Sequence, residues 1–178
     1  MTLQSRETFY YKGEDLGSYN QPLDQHPNLP EFLSLGSFCR RGYNGTWSIR
    51  NEKLYLVDLY AHIPHIKETY ETQFLKYDFA RRDFYYEIKR EPLAVIAHLE
   101  DVFPEVEDGK LFAYWFTGYV NFGQGEITDH GMTNSYKKYL SLWFENGVLI
   151  REQVRGHDEV YPPRTVEQMI SDFKKKSP

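Results

Sequence analysis

The chain holds one cysteine, Cys39, so no disulfide can form within it. That excludes the small secreted domains that depend on several bridges. No run approaches the roughly 18 apolar residues of a membrane-spanning helix, and the opening MTLQSRETFYYKGEDLG has no apolar leader region. Positive charge is not in excess either. Lys and Arg number 21 against 26 Asp and Glu, a net charge of -5. A nucleic-acid coat or a membrane-surface binder needs surplus cations to meet phosphate. The expectation is therefore a soluble cytoplasmic protein with no nucleic-acid and no membrane partner. Catalytic signatures are also missing: there is no HExxH, no Walker loop and no GxSxG.

What is present is aromatic. Fifteen Tyr and twelve Phe raise the aromatic share to 17% of 178 residues, enough for a sizeable core in one domain spanning 1–178. Residues 1–36 are rich in Gly and Pro, with a short strand expected at TFYYK. Gly42 to Gly45 reads as a turn, Thr46 to Ile49 as a strand, and Arg50-Asn51-Glu52 as a second turn. Lys53 to Ile63 follows as a long strand, apolar on both faces in its first half.

Residues 64–103 change character: charges are dense and aromatics interleaved. Ile66, Tyr70, Phe74 and Tyr77 recur at helical spacing, which predicts a helix over roughly 66–80. Pro92 suits the first turn of another helix through PLAVIAHLEDVF. Beyond Lys110 a period of two returns. Leu111 to Val120 and Tyr139 to Phe144 read as strands, and Glu145-Asn146-Gly147 is a hairpin turn. In its partner strand Val148, Ile150 and Val154 are expected to face inward. Thr165 opens a C-terminal amphipathic helix, capped with Gln168 and striped by Val166, Met169, Ile170 and Phe173. The predicted class is α+β: a strand-rich antiparallel sheet of about six strands, a helical insertion at 64–103 and a closing C-terminal helix.

Two turns offer candidate binding residues. Around the first, Arg40 and Arg41 could take an anion while Asn44 and Trp47 complete a pocket. The plainer reading makes Gly42 and Gly45 turn formers and Trp47 a core aromatic, and it is preferred. In the second turn, GQGEITDHG, the residues Glu126, Asp129 and His130 lie between glycines, where a carboxylate and an imidazole could do acid–base work. Tight hairpins need the same glycines. His62 and His65 are too few for a metal site, and Cys39, beside Arg40 and Arg41, reads as a buried thiol rather than a nucleophile. No cofactor is expected.

The runs GYNGTWSIRNEKLYLVDLY, LFAYWFTG and YLSLWFENGVLI resemble a set of small bacterial proteins. These share a G-Y-x-G-T-W-x-I-x-x-x-K-L-Y-L-x-D core, an F-A-x-W-F-T-G strand and a P-Q-G-like turn. The likeness covers most of 9–63 and 100–150. Residues 64–99 look like an insertion, and Phe122-Gly123 stands where the others often carry Pro. The family has no assigned activity, so the resemblance implies a fold and transfers no site residue. Two functional expectations follow. The first is a non-enzymatic binding protein, immunity-type or accessory, that meets a protein partner through 64–99. The alternative is a small-molecule enzyme or sensor with a pocket between the 40–47 and 123–131 turns.

Overall fold

The structure is a computed structural model and describes residues 4–130 and 134–162; the side chains of His130 and Asn134 lie outside the description. Among the described residues nine strands form one mixed sheet. They are β1 (Glu7–Tyr11), β2 (Glu14–Ser18), β3 (Tyr43–Arg50), β4 (Lys53–Asp78), β5 (Asp83–Ala97), β6 (Leu111–Phe112), β7 (Gly118–His130), β8 (Asn134–Glu145) and β9 (Val148–Gly156). Two four-residue helices, α1 (Leu99–Val102) and α2 (His157–Val160), complete the regular elements with a 3-10 turn at Pro22–Gln25.

The sheet runs β2-β1-β3-β4-β9-β8-β7, with β5 and β6 both pairing with β4. Only β1 and β3 are parallel. The sheet curls until its edges, β2 and β7, touch. No backbone ladder joins them. Instead the Ser18 hydroxyl donates to the Asn121 carbonyl at 2.8 Å, and the Asn121 N–H donates to Asn20 Oδ1 at 2.8 Å. Side chains fill the interior: Trp47 stacks on Phe9 (5.9 Å), and Phe9 meets Phe122 edge-on (5.2 Å). Leu56, Leu59, Leu142 and Phe144 surround them. The inside is therefore a packed core, not a ligand chamber.

Asn146-Gly147 makes the expected hairpin turn, and Gly147 could not be replaced cheaply. Its φ is +77°, and a Cβ there would lie 2.4 Å from the Ala113 carbonyl oxygen. The Gly147 carbonyl in turn accepts the Leu54 N–H at 2.9 Å, tying the hairpin to β4.

The expected antiparallel sheet of about six strands with a helical insertion and a closing helix is overturned. The sheet is mixed and has nine strands, and residues 64–103 are mostly strand. Residues 66–78 belong to β4, 79 and 80 to the turn after it and 92–97 to β5, leaving only α1 of the second predicted helix. The reason is arithmetic: a spacing of four is helical, but it is also a multiple of two, so Ile66, Tyr70 and Phe74 share a strand face equally well. The aromatic and β-branched content decides for strand. Pro64 and Pro92 are tolerated because they flank a break in the β4–β5 register between Pro64 and Thr69. The described residues hold only two short helices, and the helix expected from Thr165 lies outside them.

Two β-bulges correct the reading of faces. Thr46 pairs with Asp58 but Trp47 with Leu56, which leaves Val57 as an extra residue. Leu54 and Leu56 point inward before it, and Leu59 and Ala61 after it. The doubly apolar look of this stretch records a change of face, not burial on both sides. Likewise Phe144 pairs with Leu149 and Trp143 with Arg151, so Ile150 is extra. Ile150 and Val154, expected inward, are 61% and 57% exposed, and Leu149 packs on the core instead.

Candidate functional site

The first candidate turn builds a closed polar cluster. Arg41 donates from its two terminal nitrogens to the Ser5 carbonyl (3.0 Å) and to Asn44 Oδ1 (2.7 Å). Its Nε faces Glu7 Oε1 at 3.3 Å, and its guanidinium lies over the Tyr43 ring. The Trp47 indole N–H donates to the other Glu7 oxygen. Tyr43 donates to Asp24 Oδ1 at 2.5 Å. Gly45 is a strand residue here, and its missing side chain makes the room: a Cβ would sit 2.9 Å from both Glu7 Oε2 and Trp47 Nε1.

Glu7 has no solvent exposure. Burial pushes its carboxyl from the ordinary 4.5 up to about 8, against the pull of Arg41 and the Trp47 hydrogen bond. Burial, then the neighbouring Glu7 charge and the Asp24 hydrogen bond, also raise the Tyr43 phenol. Glu7 can thus hold a proton at neutral pH but presents it to nothing outside. The cluster ties β1, β3 and the 3-10 turn together.

Of the residues singled out in the sequence, Arg41, Asn44 and Trp47 come together, joined by Glu7, which sequence reasoning missed. The signal was available: in β1 Glu7 shares the inward face with Phe9, so a carboxylate stood at a core position. Arg40 is exposed and stands apart. Glu126 and Asp129 are exposed on the outer part of the β7–β8 hairpin, and the side chain of His130 lies outside the description. β4 and β9 separate this hairpin from β3 in the sheet order. The cleft of about 430 Å³ beside Gly123 is lined by none of Arg40, Arg41, Asn44, Trp47, Glu126 or Asp129. Cys39 is buried, its thiol directed to the Tyr43 carbonyl at 3.1 Å. Among the described residues no group of three His, Cys, Asp or Glu side chains is arranged to hold a metal, and no helix is long and apolar enough to cross a membrane.

The most conspicuous surface is the outer part of β4 and β5. Beyond Thr69 the two strands pair only with each other, through Asp78 and Asp83. Cross-strand partners hold this ribbon: Arg90 on Glu71 (2.9 Å), Lys76 on Glu87 (2.6 Å), Tyr70 on Glu91 (3.0 Å) and Tyr77 against Phe84 (4.9 Å between rings). Asp78 accepts the Ala80 and Arg81 N–H groups to close the turn. Large apolar side chains stay in water: Ile66 is 95% exposed, Phe79 86%, Tyr86 66% and Phe84 62%. Leu75, Ile88, Tyr85 and Phe74 are exposed beside them.

Comparison of the chain with protein-family models, with curated proteins and with solved structures finds no match.

Proposed function

We propose that the chain is a non-enzymatic binding protein that engages a protein partner through the β4–β5 ribbon, as an immunity-type or accessory protein of a bacterial cytoplasm would. One observation carries this reading: a two-stranded ribbon displays a continuous set of bare aromatic and aliphatic side chains that no other described element covers. An isolated hairpin is marginal in water, and soluble monomers rarely expose contiguous apolar surface on this scale. Aromatic side chains and Arg are what interface centres favour, and the ribbon carries both. The resemblance of 9–63 and 100–150 to small bacterial proteins fits a shared barrel to which this chain adds the ribbon. The enclosed Glu7 cluster gives an enzymatic reading no accessible group to work with.

The test compares two baits, the intact chain and a chain in which residues 65–92 are replaced by a short Asn-Gly turn. Both are used to capture partners from the source cell, with quantitation by mass spectrometry. A stoichiometric protein held by the intact bait and lost by the ribbonless one supports the reading. A partner retained equally by both overturns it.

A further inference from the structure

The seam where β2 meets β7 has a cleft of about 430 Å³ over it, within the range of small-molecule sites. The floor is polar and fully committed. Asn121 Oδ1 accepts from the Ser141 hydroxyl at 2.7 Å, and the Arg155 Nε–H donates to Ser141 at 3.0 Å. Ser18, Asn121 and Ser141 are buried, and Arg155 is held between the Trp143 and Tyr119 rings. A seam could close more cheaply with apolar side chains, because buried polar networks are favourable only when every member is satisfied.

The walls are aromatic and fixed. Tyr139 meets Tyr161 edge-on (5.4 Å) and Tyr136 edge-on (6.0 Å), while His157 lies 5.5 Å from Tyr161. The Tyr139 oxygen accepts the Tyr136 N–H at 2.9 Å. Tyr136 lies on bare backbone, since a Cβ at Gly123 would come within 2.1 Å of its ring. Arg6 is seated the same way: its Cζ would be 3.1 Å from a Cβ on Gly17. One Arg6 nitrogen donates to the Tyr136 hydroxyl at 3.2 Å. Among the described residues no carboxylate lines the cleft and none pairs with Arg6.

We propose that this cleft binds a planar aromatic molecule carrying one anionic group. The ring lies among the angled faces and edges of Tyr136, Tyr139 and Tyr161, and the anion meets the Arg6 guanidinium, whose planar fork suits carboxylate and phosphate alike. The site belongs to the barrel and stands whether or not the ribbon binds a partner.

Calorimetric titration of the full chain tests it with four probes. Indole-3-carboxylate and AMP offer a ring with a carboxylate or a phosphate, indole offers the ring alone, and cyclohexanecarboxylate offers the anion alone. At least one ring-plus-anion probe binds with a Kd below about 1 mM, and the better of the two tells carboxylate from phosphate. The single-feature probes bind at least about tenfold more weakly. Arg6 and Tyr161 are exposed, so Arg6→Gln and Tyr161→Ala fold, and each weakens the bound probe about tenfold. The proposal is overturned if neither ring-plus-anion probe binds up to about 10 mM, if indole binds as tightly as its carboxylate, or if either variant keeps parental affinity.

Discussion

Glu7 carries the clearest consequence of a single side chain. Its folded carboxyl titrates at about 8 and its unfolded one near 4.5, so between those values the folded state holds a proton that the unfolded state has released. Stability from this group is therefore present below 4.5 and is lost as pH rises through 8. Glu7→Gln keeps an acceptor for the Trp47 indole and removes the titration. Thermal unfolding from about pH 5 to about pH 9 should show the parent falling relative to the variant by several degrees. A gap that does not change with pH would refute the assignment. Burial lowers the His26 imidazole and gives both proteins the opposite trend below its ordinary 6.5, so the comparison is made at each pH. Gly45→Ala drives a methyl into Glu7 and Trp47 and should destabilise by about 2 kcal/mol in denaturant melts. The sequence exposed half of this cluster. Arg41, Asn44 and Trp47 stand close together in the chain, whereas Glu7 and Asp24 join them only through the parallel β1–β3 pairing and the 3-10 turn.

The elements divide into a barrel with a core and a ribbon without one. Replacing 65–92 by a turn should leave the melting temperature of the barrel within a few degrees of the parent, because every fully buried large side chain lies outside that span. Collapse of the barrel on this deletion would show the ribbon to be structural. In hydrogen exchange, amides of 69–78 and 83–92 should exchange at least about a hundredfold faster than those of 54–61, which pair with β3, and at Tyr55 and Leu56 with β6 as well. The turn at Asn51 and the Asn146-Gly147 hairpin were readable directly, whereas the turn expected from Gly42 to Gly45 is mostly strand, because β3 begins at Tyr43. The ribbon was not readable, since its four-residue spacing fits both periods and its cross-strand pairs, Glu71 with Arg90 and Lys76 with Glu87, are invisible until the register is known. The bulges at Val57 and Ile150 each shift the inward face by one residue, which a strict alternation cannot follow.

For the whole molecule, closure depends on the side chains at the β2–β7 seam rather than on a ladder. Asn20→Ala leaves the buried Asn121 N–H without its acceptor and should lower stability by about 1–3 kcal/mol. The β2 amides should lose exchange protection more than those of β8. Equal loss in both strands would mean the seam is not a separate point of weakness. This closure was beyond reach of the sequence, because Ser18 and Asn121 are far apart along the chain and neither belongs to a recognisable pairing motif.

One strand, β4, is both a stave of the barrel and one half of the ribbon, and it runs unbroken from Lys53 to Asp78. Its outer part spans roughly 45 Å at the rise of an extended chain. A force applied at the tip therefore travels along one continuous backbone into the barrel. There β4 meets β3 through eight registered residue pairs lying lengthwise to the pull. Such a joint is loaded in shear, with its hydrogen bonds sharing the tension together. The two ribbon strands are joined at the pulled turn and take the load side by side along their length, so traction on the tip is passed to the barrel rather than spent in separating them.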